Sequence, residues 1–141
     1  MREIKFRGLN RKSGNWHYGY YSADEYSDKF IKNVDMIWEE YTPYYVDRDT
    51  VGQYTGLKDK NSKEIYEGDI VRLCDVKRPS GIDSYYHDVD YRIVFKYNMW
   101  YMEIIRNFKQ ACYYSGARIN DIPLDFLEVI GNIYENKELL K

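Results

Sequence analysis

The stretch from Val51 to Arg72 constrains the fold more than any other part of the chain. It reads VGQYTGLKDKNSKEIYEGDIVR. Its first residues alternate between the two sides of a strand and are rich in β-forming types, which favours a strand over a helix. The polar run from Lys58 to Ser62 predicts a chain reversal. Gly68 can then adopt a backbone angle closed to other residues before a buried strand begins. The stretch therefore predicts a β-hairpin.

The same stretch carries a resemblance to a known family. The run QYTGLKDKNSKEIYEGDIV resembles the signature of the YopX family, small proteins found mostly in phages and prophages of Gram-positive bacteria. Residues 1–7, MREIKFR, resemble the opening strand of that family, and residues 129–140, VIGNIYENKELL, resemble its closing strand. The resemblance implies a phage or prophage accessory protein without an assigned activity, and it brings no catalytic residues.

Two positions depart from the family pattern. Ser62 follows Asn61 where Asn-Gly is expected, which argues against a strict type I′ turn because Ser adopts positive φ less readily than Gly. Lys137 stands where a proline is expected, which removes a helix-start signal and leaves Asn136 as a candidate N-cap. Neither departure concerns chemistry.

The remaining patterns predict a mainly β chain. Residues 2–21 are expected to form a hairpin, and residues 91–97 and 100–105 a further hairpin joined through Asn98. Short helical turns are expected at residues 122–127 and from Lys137. With 141 residues, the chain fits one domain, residues 1–141. We expect hairpins and a small SH3-like β-barrel with short helical turns.

Two segments look private to this member of the family, residues 21–43 and 74–91. The first favours a strand at residues 29–32. The second holds Pro79 and Gly81 among acidic residues, which predicts a long exposed loop. Small barrels carry specificity on such loops.

Composition predicts a cytoplasmic protein, which for the phage-type protein that the resemblance implies means the cytoplasm of the bacterial host. The formal charge of -2 gives no global basic field that would attract nucleic acid or anionic lipid. The N-terminus lacks the apolar core of a signal peptide, and no apolar run approaches the roughly 18 residues of a membrane helix. Cys74 and Cys112 lie far apart in unrelated contexts, which favours reduced thiols over a disulfide framework or a metal site.

The motifs of enzymes are missing from the sequence. It contains no nucleophile motif and no glycine-rich phosphate loop. Glu64, Glu67 and Asp69 surround one turn and could act as acid and base or hold a divalent ion, with His87 as a candidate loop base. The structural interpretation is simpler, because a carboxylate after Gly68 can bond the backbone of its own turn.

We therefore expect no enzyme, no cofactor and no metal. The residues predicted to be structural are Gly56, Gly68, Asp69 and Gly131.

A high tyrosine content favours a binding function. The chain has 17 Tyr, a residue that suits interfaces because its ring packs while its hydroxyl stays wet. We expect a homo-oligomer or binding to a phage or host protein, with no membrane partner. The candidate binding surface consists of Trp16, Tyr18, Tyr20, Lys77, Arg78, Tyr85 and Tyr86.

The alternative is a nucleic-acid-binding module on a small β-barrel. Stacked bases are worth about 1 to 3 kcal/mol each on aromatic side chains. Two basic and aromatic patches could serve: Lys77 and Arg78 beside Tyr85 and Tyr86, or Arg92 and Lys96 beside Tyr91 and Tyr97. Acidic neighbours, Asp83, Asp88 and Asp90, weaken this alternative because they reduce counterion release.

Overall fold

The computed structural model describes residues 3–24, 34–74, 76–77, 85–86, 89–107 and 116–140. Strands and turns make up most of this part of the chain, so the prediction of a mainly β protein is confirmed. The chain divides into two compact units, Met1–Gly56 and Leu57–Lys141. The single domain over residues 1–141 stays a prediction. Within the described ranges, no helix has the length and apolar composition needed to cross a membrane.

The first unit is built from antiparallel strands in the order β4-β3-β2-β1-β5. Their bounds are β1 (Phe6–Asn10), β2 (Asn15–Asp24), β3 (Val34–Glu39), β4 (Thr42–Val46) and β5 (Gly52–Lys58), the last of which ends in the second unit. Pairing of Phe6 with Gly19 and of Asn10 with Asn15 confirms the first predicted hairpin. The strand predicted at residues 29–32 lies outside the described residues.

A buried threonine ties β1 to the segment that follows β4. Thr50, at the end of a short 3-10 helix (Arg48–Thr50), is fully buried. Its Oγ1 accepts a 2.8 Å hydrogen bond from the backbone N–H of Leu9 and donates a 2.6 Å bond to the carbonyl of Asp47. The N–H of Asp47 donates in turn to the carbonyl of Leu9 at 2.9 Å. These bonds supply partners for backbone groups that burial removes from water.

The second unit contains a sheet in the order β12-β11-β10-β7-β13. Its strands are β7 (Asp69–Leu73), β10 (Val89–Lys96), β11 (Met99–Asn107), β12 (Gly116–Arg118) and β13 (Leu127–Asn132). Short 3-10 helices lie at Ile119–Asp121, Leu124–Phe126 and Lys137–Leu140, so the helical turns expected near Pro123 and Lys137 are confirmed.

The core of this unit lies on one side of its sheet. It is formed by hydrophobic side chains of β7, β10, β11 and β13, together with Ile65 and with Ile119 of a 3-10 helix. The strand residues are Val71, Leu73, Val89, Tyr91, Ile93, Trp100, Met102, Leu127 and Val129. The described strands form open antiparallel sheets and do not close into a barrel. The expectation of an SH3-like barrel is therefore not confirmed.

The predicted central turn is present and is organised by one carboxylate. The chain passes from β5 through residues 59–63 into β6 (Glu64–Tyr66). Asp59 is buried, and its Oδ1 accepts hydrogen bonds from the N–H groups of Asn61 at 2.8 Å and Lys63 at 2.9 Å. Ser62 takes the positive φ of 64°, while Asn61 is not in that region. A strict type I′ turn needs both central residues there, so this turn is of another type.

The long loop expected over residues 74–90 contains more strand than predicted. Two-residue strands β8 (Val76–Lys77) and β9 (Tyr85–Tyr86) pair with each other in antiparallel fashion, and β10 already begins at Val89. The alternation that the pattern showed from Tyr91 onward therefore starts two residues earlier in the structure.

Candidate interaction surface

A cluster of aromatic side chains lies on one face of β2, β3 and β4. Side chains alternate between the two faces of a strand, and directly opposite residues share a face. Tyr20 pairs with Trp38, which pairs with Pro43, and Met36 pairs with Tyr45. We call this surface the aromatic face, and it consists of Tyr18, Tyr20, Met36, Trp38 and Tyr45.

Three tyrosines of the aromatic face are exposed. The exposed fractions are 42% for Tyr18, 69% for Tyr20 and 63% for Tyr45. A fully buried aromatic side chain removes roughly 150 to 250 Å² from water, so these three present about 350 Å² together. The largest apolar patch on a typical monomer is of about this size and is often functional. The aromatic face therefore has the dimensions of a binding surface.

Trp16 and Trp38 form the base of this surface. The guanidinium carbon of Arg7 lies 4.7 Å from the centre of the Trp16 ring, a cation–π contact that holds the half-buried Trp16 against β1. The indole N–H of Trp38 donates a 2.9 Å hydrogen bond to Oγ of Ser22. The half-buried Trp16 lies at the base of the aromatic face, whereas Tyr18 and Tyr20 are exposed on it. The predicted role of all three residues in binding stays a prediction.

A glutamate on β3 fixes the position of Tyr18. The Oε1 atom of Glu39 accepts a 3.0 Å hydrogen bond from the backbone N–H of Tyr18 and lies 3.1 Å from Nδ1 of His17. The His17 ring stacks on Tyr44 with centroids 4.0 Å apart. Sequence spacing gave His17 no carboxylate neighbour, because Glu39 reaches it only through strand pairing.

A buried carboxylate on the other face of the sheet stabilises the same strands. Asp35 is buried, and its Oδ1 accepts a 2.5 Å hydrogen bond from the hydroxyl of Tyr21. The Nε–H of Arg48 donates to Oδ2 at 2.9 Å. The hydrogen bond to Asp35 and burial raise the pKa of Tyr21, so its hydroxyl stays protonated and acts as a donor. This arrangement is suited to structure and not to a nucleophile.

The predicted basic and aromatic patches differ from the expectation where the structure describes them. Lys77 pairs with Tyr85, and Val76 with Tyr86, along the backbone of the short β8–β9 ribbon. Their side chains, and all of Arg78 and His87, lie outside the described residues. The stacking of bases on Tyr85 and Tyr86 beside Lys77 and Arg78 therefore stays a prediction.

The second basic patch differs from the expectation at Tyr91, whereas Tyr97 is exposed as a binding residue would be. Tyr91 is only 3% exposed and belongs to the core, because neighbouring residues on a strand point to opposite faces. Arg92 and Lys96 both bind the carboxylate of Glu103. These two cations lower the pKa of Glu103, so the carboxylate stays charged and offsets one of the two positive charges.

The four residues predicted to be structural lie in constrained positions. Gly56 and Gly68 have positive φ values of 86° and 81°. Asp69 is buried and accepts a 2.8 Å hydrogen bond from the N–H of Tyr66 through Oδ2. A Cβ on Gly131 would lie 2.4 Å from Oδ1 of Asn136.

The carboxylates of Glu64 and Asp69, which the sequence places around one turn, make local hydrogen bonds. The hydroxyl of Tyr66 donates to Oε2 of Glu64 at 2.6 Å, while Asp69 faces its own turn. Among the described residues, no group of three or more His, Cys, Asp or Glu side chains could hold a metal ion. The geometry of this part of the chain is that of a stabilised turn.

Sequence reasoning did not identify three members of the aromatic face. Met36 and Trp38 lie in a segment where periodicity did not separate strand from helix, and Tyr45 follows in an acidic and aromatic run. Alternation of Met36 with Trp38 and of Pro43 with Tyr45 is the signal that could have placed them together.

The comparisons with known proteins show a family relationship over nearly the whole chain. A family model described as YopX protein matches residues 5–141. The crystal structure of protein EF1440 from Enterococcus faecalis is similar, with a TM-score of 0.55, 23% identity and 100% of each chain covered. No curated protein matches the chain. At this identity the similar structure supports the fold alone.

Proposed function

The chain belongs to the YopX family, and on that premise we propose that it is a non-enzymatic phage or prophage accessory protein that acts by protein interaction. It works as a homo-oligomer in the cytoplasm of the bacterial host. The observation that carries the proposal is the aromatic face, on which Tyr18, Tyr20 and Tyr45 are exposed above Trp38.

The composition of the aromatic face suits contact with protein. Tyr and Trp are the residue types enriched among the strongest contributors to binding, and Met is enriched at interfaces generally. None of the five side chains that define the face carries a formal charge at neutral pH. A second copy can therefore meet this face without opposing like charges.

The edge of the same sheet is poorly suited to pairing between backbones. β4 is an edge strand, and Pro43 within it has no N–H to donate. Proline on an edge discourages addition of a strand from another chain. Side-chain packing on the aromatic face is the better route to association.

Nucleic-acid binding is the weaker alternative. One of its two patches includes Tyr91, which is buried in the core, and its cations Arg92 and Lys96 share the carboxylate of Glu103, which offsets one of the two positive charges. The nucleic-acid alternative also assumed a small β-barrel, whereas the described strands form open sheets. Counterion release from these two residues would be small.

The proposal is tested by the mass of the purified protein in solution. Size exclusion with light scattering should give a multiple of the 17.1 kDa chain mass for the natural protein. The double variant Tyr20→Glu, Tyr45→Glu should elute as a monomer, since it buries two charges in the contact. Tyr41→Glu, at a tyrosine that is 94% exposed in the β3–β4 turn, is the matched control and should keep the assembly.

Two outcomes would reject this function. If the natural protein is monomeric at every concentration measured, the proposal that it is a homo-oligomer is rejected. A monomer with a high ratio of absorbance at 260 nm to that at 280 nm, lost after a high-salt wash, would replace protein interaction with nucleic-acid binding.

A further inference from the structure

The side chains of the aromatic face differ in exposure from strand to strand. Met36 and Trp38, on the central strand β3, are half-buried. Tyr20 on β2 and Tyr45 on β4 are exposed by 69% and 63%. Tyr20 lies beside Trp38, and Tyr45 lies beside Met36. The face therefore forms a shallow trough along β3, with a floor of Met36 and Trp38 and an exposed tyrosine on either side.

The trough has the dimensions of a single extended peptide. Neighbouring strands lie about 4.8 Å apart, so the backbones of β2 and β4 are separated by roughly 10 Å, and the tyrosine rings narrow this gap. An α-helix with its side chains is about 10 to 12 Å wide and is too wide to enter. From Tyr18 to Ser22 the trough is about 13 Å long, which matches about four residues of polyproline II helix.

The chemistry of the trough favours a polyproline II segment over an added strand. Pro43 on the edge strand β4 discourages strand addition. Proline-rich segments bind grooves lined with aromatic side chains, and their carbonyl oxygens have no internal donor. The hydroxyls of Tyr20 and Tyr45 can donate to such carbonyls. Since the indole N–H of Trp38 already donates to Ser22, the tyrosines are the donors suited to this purpose.

The charges around the trough are acidic. Strands β2, β3 and β4 and the turn between β3 and β4 contain no Lys or Arg. In the β3–β4 hairpin, Asp35 is buried and bound by Arg48. Glu39, whose side chain is 39% exposed, and the exposed Glu40 lie at the end of the trough nearest Tyr18. A segment with a basic residue beside its prolines complements this end.

The area of the aromatic face also suits a short segment. Its three exposed tyrosines present about 350 Å². A stable interface between folded proteins buries roughly 800 Å² on each partner, so an assembly of copies has to add area from outside the face. A contact of about four residues needs only the face itself and belongs to the weak and transient class of interfaces.

We propose that the aromatic face binds a proline-rich segment of a partner protein, with basic residues next to the prolines, a proposal that rests on the proposed function because it takes the face as a protein-binding surface. Proline rings pack on Trp38 between Tyr20 and Tyr45, and Glu39 and Glu40 pair with the basic residues. The chain itself has only 3 Pro, none adjacent to another, so the segment belongs to a different protein. A second copy and this partner therefore compete for the face.

The test measures the affinity of the full chain for a synthetic peptide of eight prolines with two arginines at each end, by calorimetric titration. A comparison peptide has alternating glycine and serine between the same arginines. The proline peptide should bind more tightly by about tenfold or more, since its conformation is already fixed. The double variant Tyr20→Ala, Tyr45→Ala should lose about tenfold or more in affinity. Tyr41→Ala, in the β3–β4 turn, is the matched control and should bind as the natural protein does.

A second double variant tests the acidic end of the trough. Glu39→Gln, Glu40→Gln should bind the arginine-flanked peptide several-fold more weakly at low salt, and eight prolines without arginines as well as the natural protein does. The amide oxygen of the Glu39→Gln side chain can still accept the hydrogen bond from the N–H of Tyr18. Equal affinity of this variant and the natural protein for the arginine-flanked peptide would reject the basic residues of the partner.

The outcomes separate the proline-rich partner from the homo-oligomer. If the natural protein assembles but binds the proline peptide no better than the comparison peptide, the partner is rejected and the homo-oligomer stands. If the natural protein is monomeric and binds the proline peptide as expected, the homo-oligomer is rejected and the partner stands. Equal losses of affinity in Tyr41→Ala and in the double tyrosine variant would place the binding site elsewhere and reject the trough. Unchanged thermal midpoints of the variants show that lost binding is not lost folding.

Discussion

Asp59 and Val129 lie seventy residues apart in sequence and are joined by a 2.9 Å hydrogen bond from the N–H of Val129 to Oδ2 of Asp59. The other carboxylate oxygen holds the turn of the family signature. One buried side chain therefore both shapes this turn and attaches it to β13. In this chain the signature turn therefore takes part in a tertiary contact within the second unit as well as in a local reversal.

Replacing Asp59 should destabilise the protein strongly. Asp59→Ala leaves three buried or half-buried N–H groups without their acceptor, and each such loss costs about 1 to 3 kcal/mol. Asp59→Asn should be less severe, because its amide oxygen can still accept from one side. Urea unfolding followed by fluorescence measures the difference. Equal stability of Asp59→Ala and the natural protein would contradict this role.

Gly19 should not tolerate any side chain. A Cβ at this position would lie 1.9 Å from the carbonyl oxygen of Trp38, a backbone atom that cannot move aside alone. We expect Gly19→Ala to lower the free energy of unfolding by more than about 2 kcal/mol and to disturb Tyr18 and Tyr20 on either side. Gly14→Ala is the control, since its Cβ would meet nothing within 4 Å. With a φ of 75°, Gly14→Ala should cost only roughly 1 to 2 kcal/mol. Equal losses in both variants would show that the contact with Trp38 is unimportant.

Stability should fall in acid partly because of Glu103. Hydrogen bonds from Lys96 and Arg92 lower its pKa below the ordinary value of 4.5. A carboxyl with a lowered folded-state pKa contributes stability above its unfolded-state pKa, and that contribution is lost as pH falls through the folded-state value. Glu103→Gln should therefore be less stable than the natural protein at pH 7, with the difference shrinking below about pH 4.

High salt provides an independent check on Glu103. The side chains that pair with it are partly exposed, Lys96 by 45% and Arg92 by 44%. Dissolved salt should therefore screen the attraction between these cations and Glu103. Urea midpoints between pH 3 and 7, at low and high salt, give the measurement. A difference between Glu103→Gln and the natural protein that ignores both pH and salt would point to packing instead.

Tyr97→Asn should stabilise the second unit in the monomer. The φ of Tyr97 is 54°. Asn adopts positive φ more readily than Tyr, and the gain should be about 1 kcal/mol. Thermal unfolding at a concentration too low for association measures it, and Asn98→Ala should shift the midpoint in the opposite direction. A lower midpoint for Tyr97→Asn would mean that the ring stabilises the hairpin by contacts that outweigh the strain.

Local features of the fold could be predicted from the sequence. The hairpin between β1 and β2, the positive φ of Gly68 and the helical turn after Pro123 all depend on neighbouring residues, so composition and alternation were sufficient. The exposure of Tyr18 and Tyr20 on one face follows from the same two-residue period.

Features set by distant pairing could not be predicted in this way. Trp38 and Tyr45 join Tyr20 only because β3 and β4 pair in one particular register, which local pattern does not determine. Adjacency in sequence suggests a shared patch for Tyr91 and Arg92, whereas a strand places the two side chains on opposite faces, and Tyr91 is buried. Barrel closure depends on how sheets twist and pack over long range, and the signature stretch does not determine it.

The position of β7 in its sheet has a consequence for biosynthesis. β7 pairs with β10 on one side and with β13 on the other, and β13 is the last strand of the sequence. During synthesis on the ribosome, the backbone N–H and C=O groups on one edge of β7 have no strand partner until residues 127–132 have emerged. Unpaired strand edges of this kind can pair with strands of other chains. Nascent chains halted before that point would be the form of this protein most dependent on chaperones.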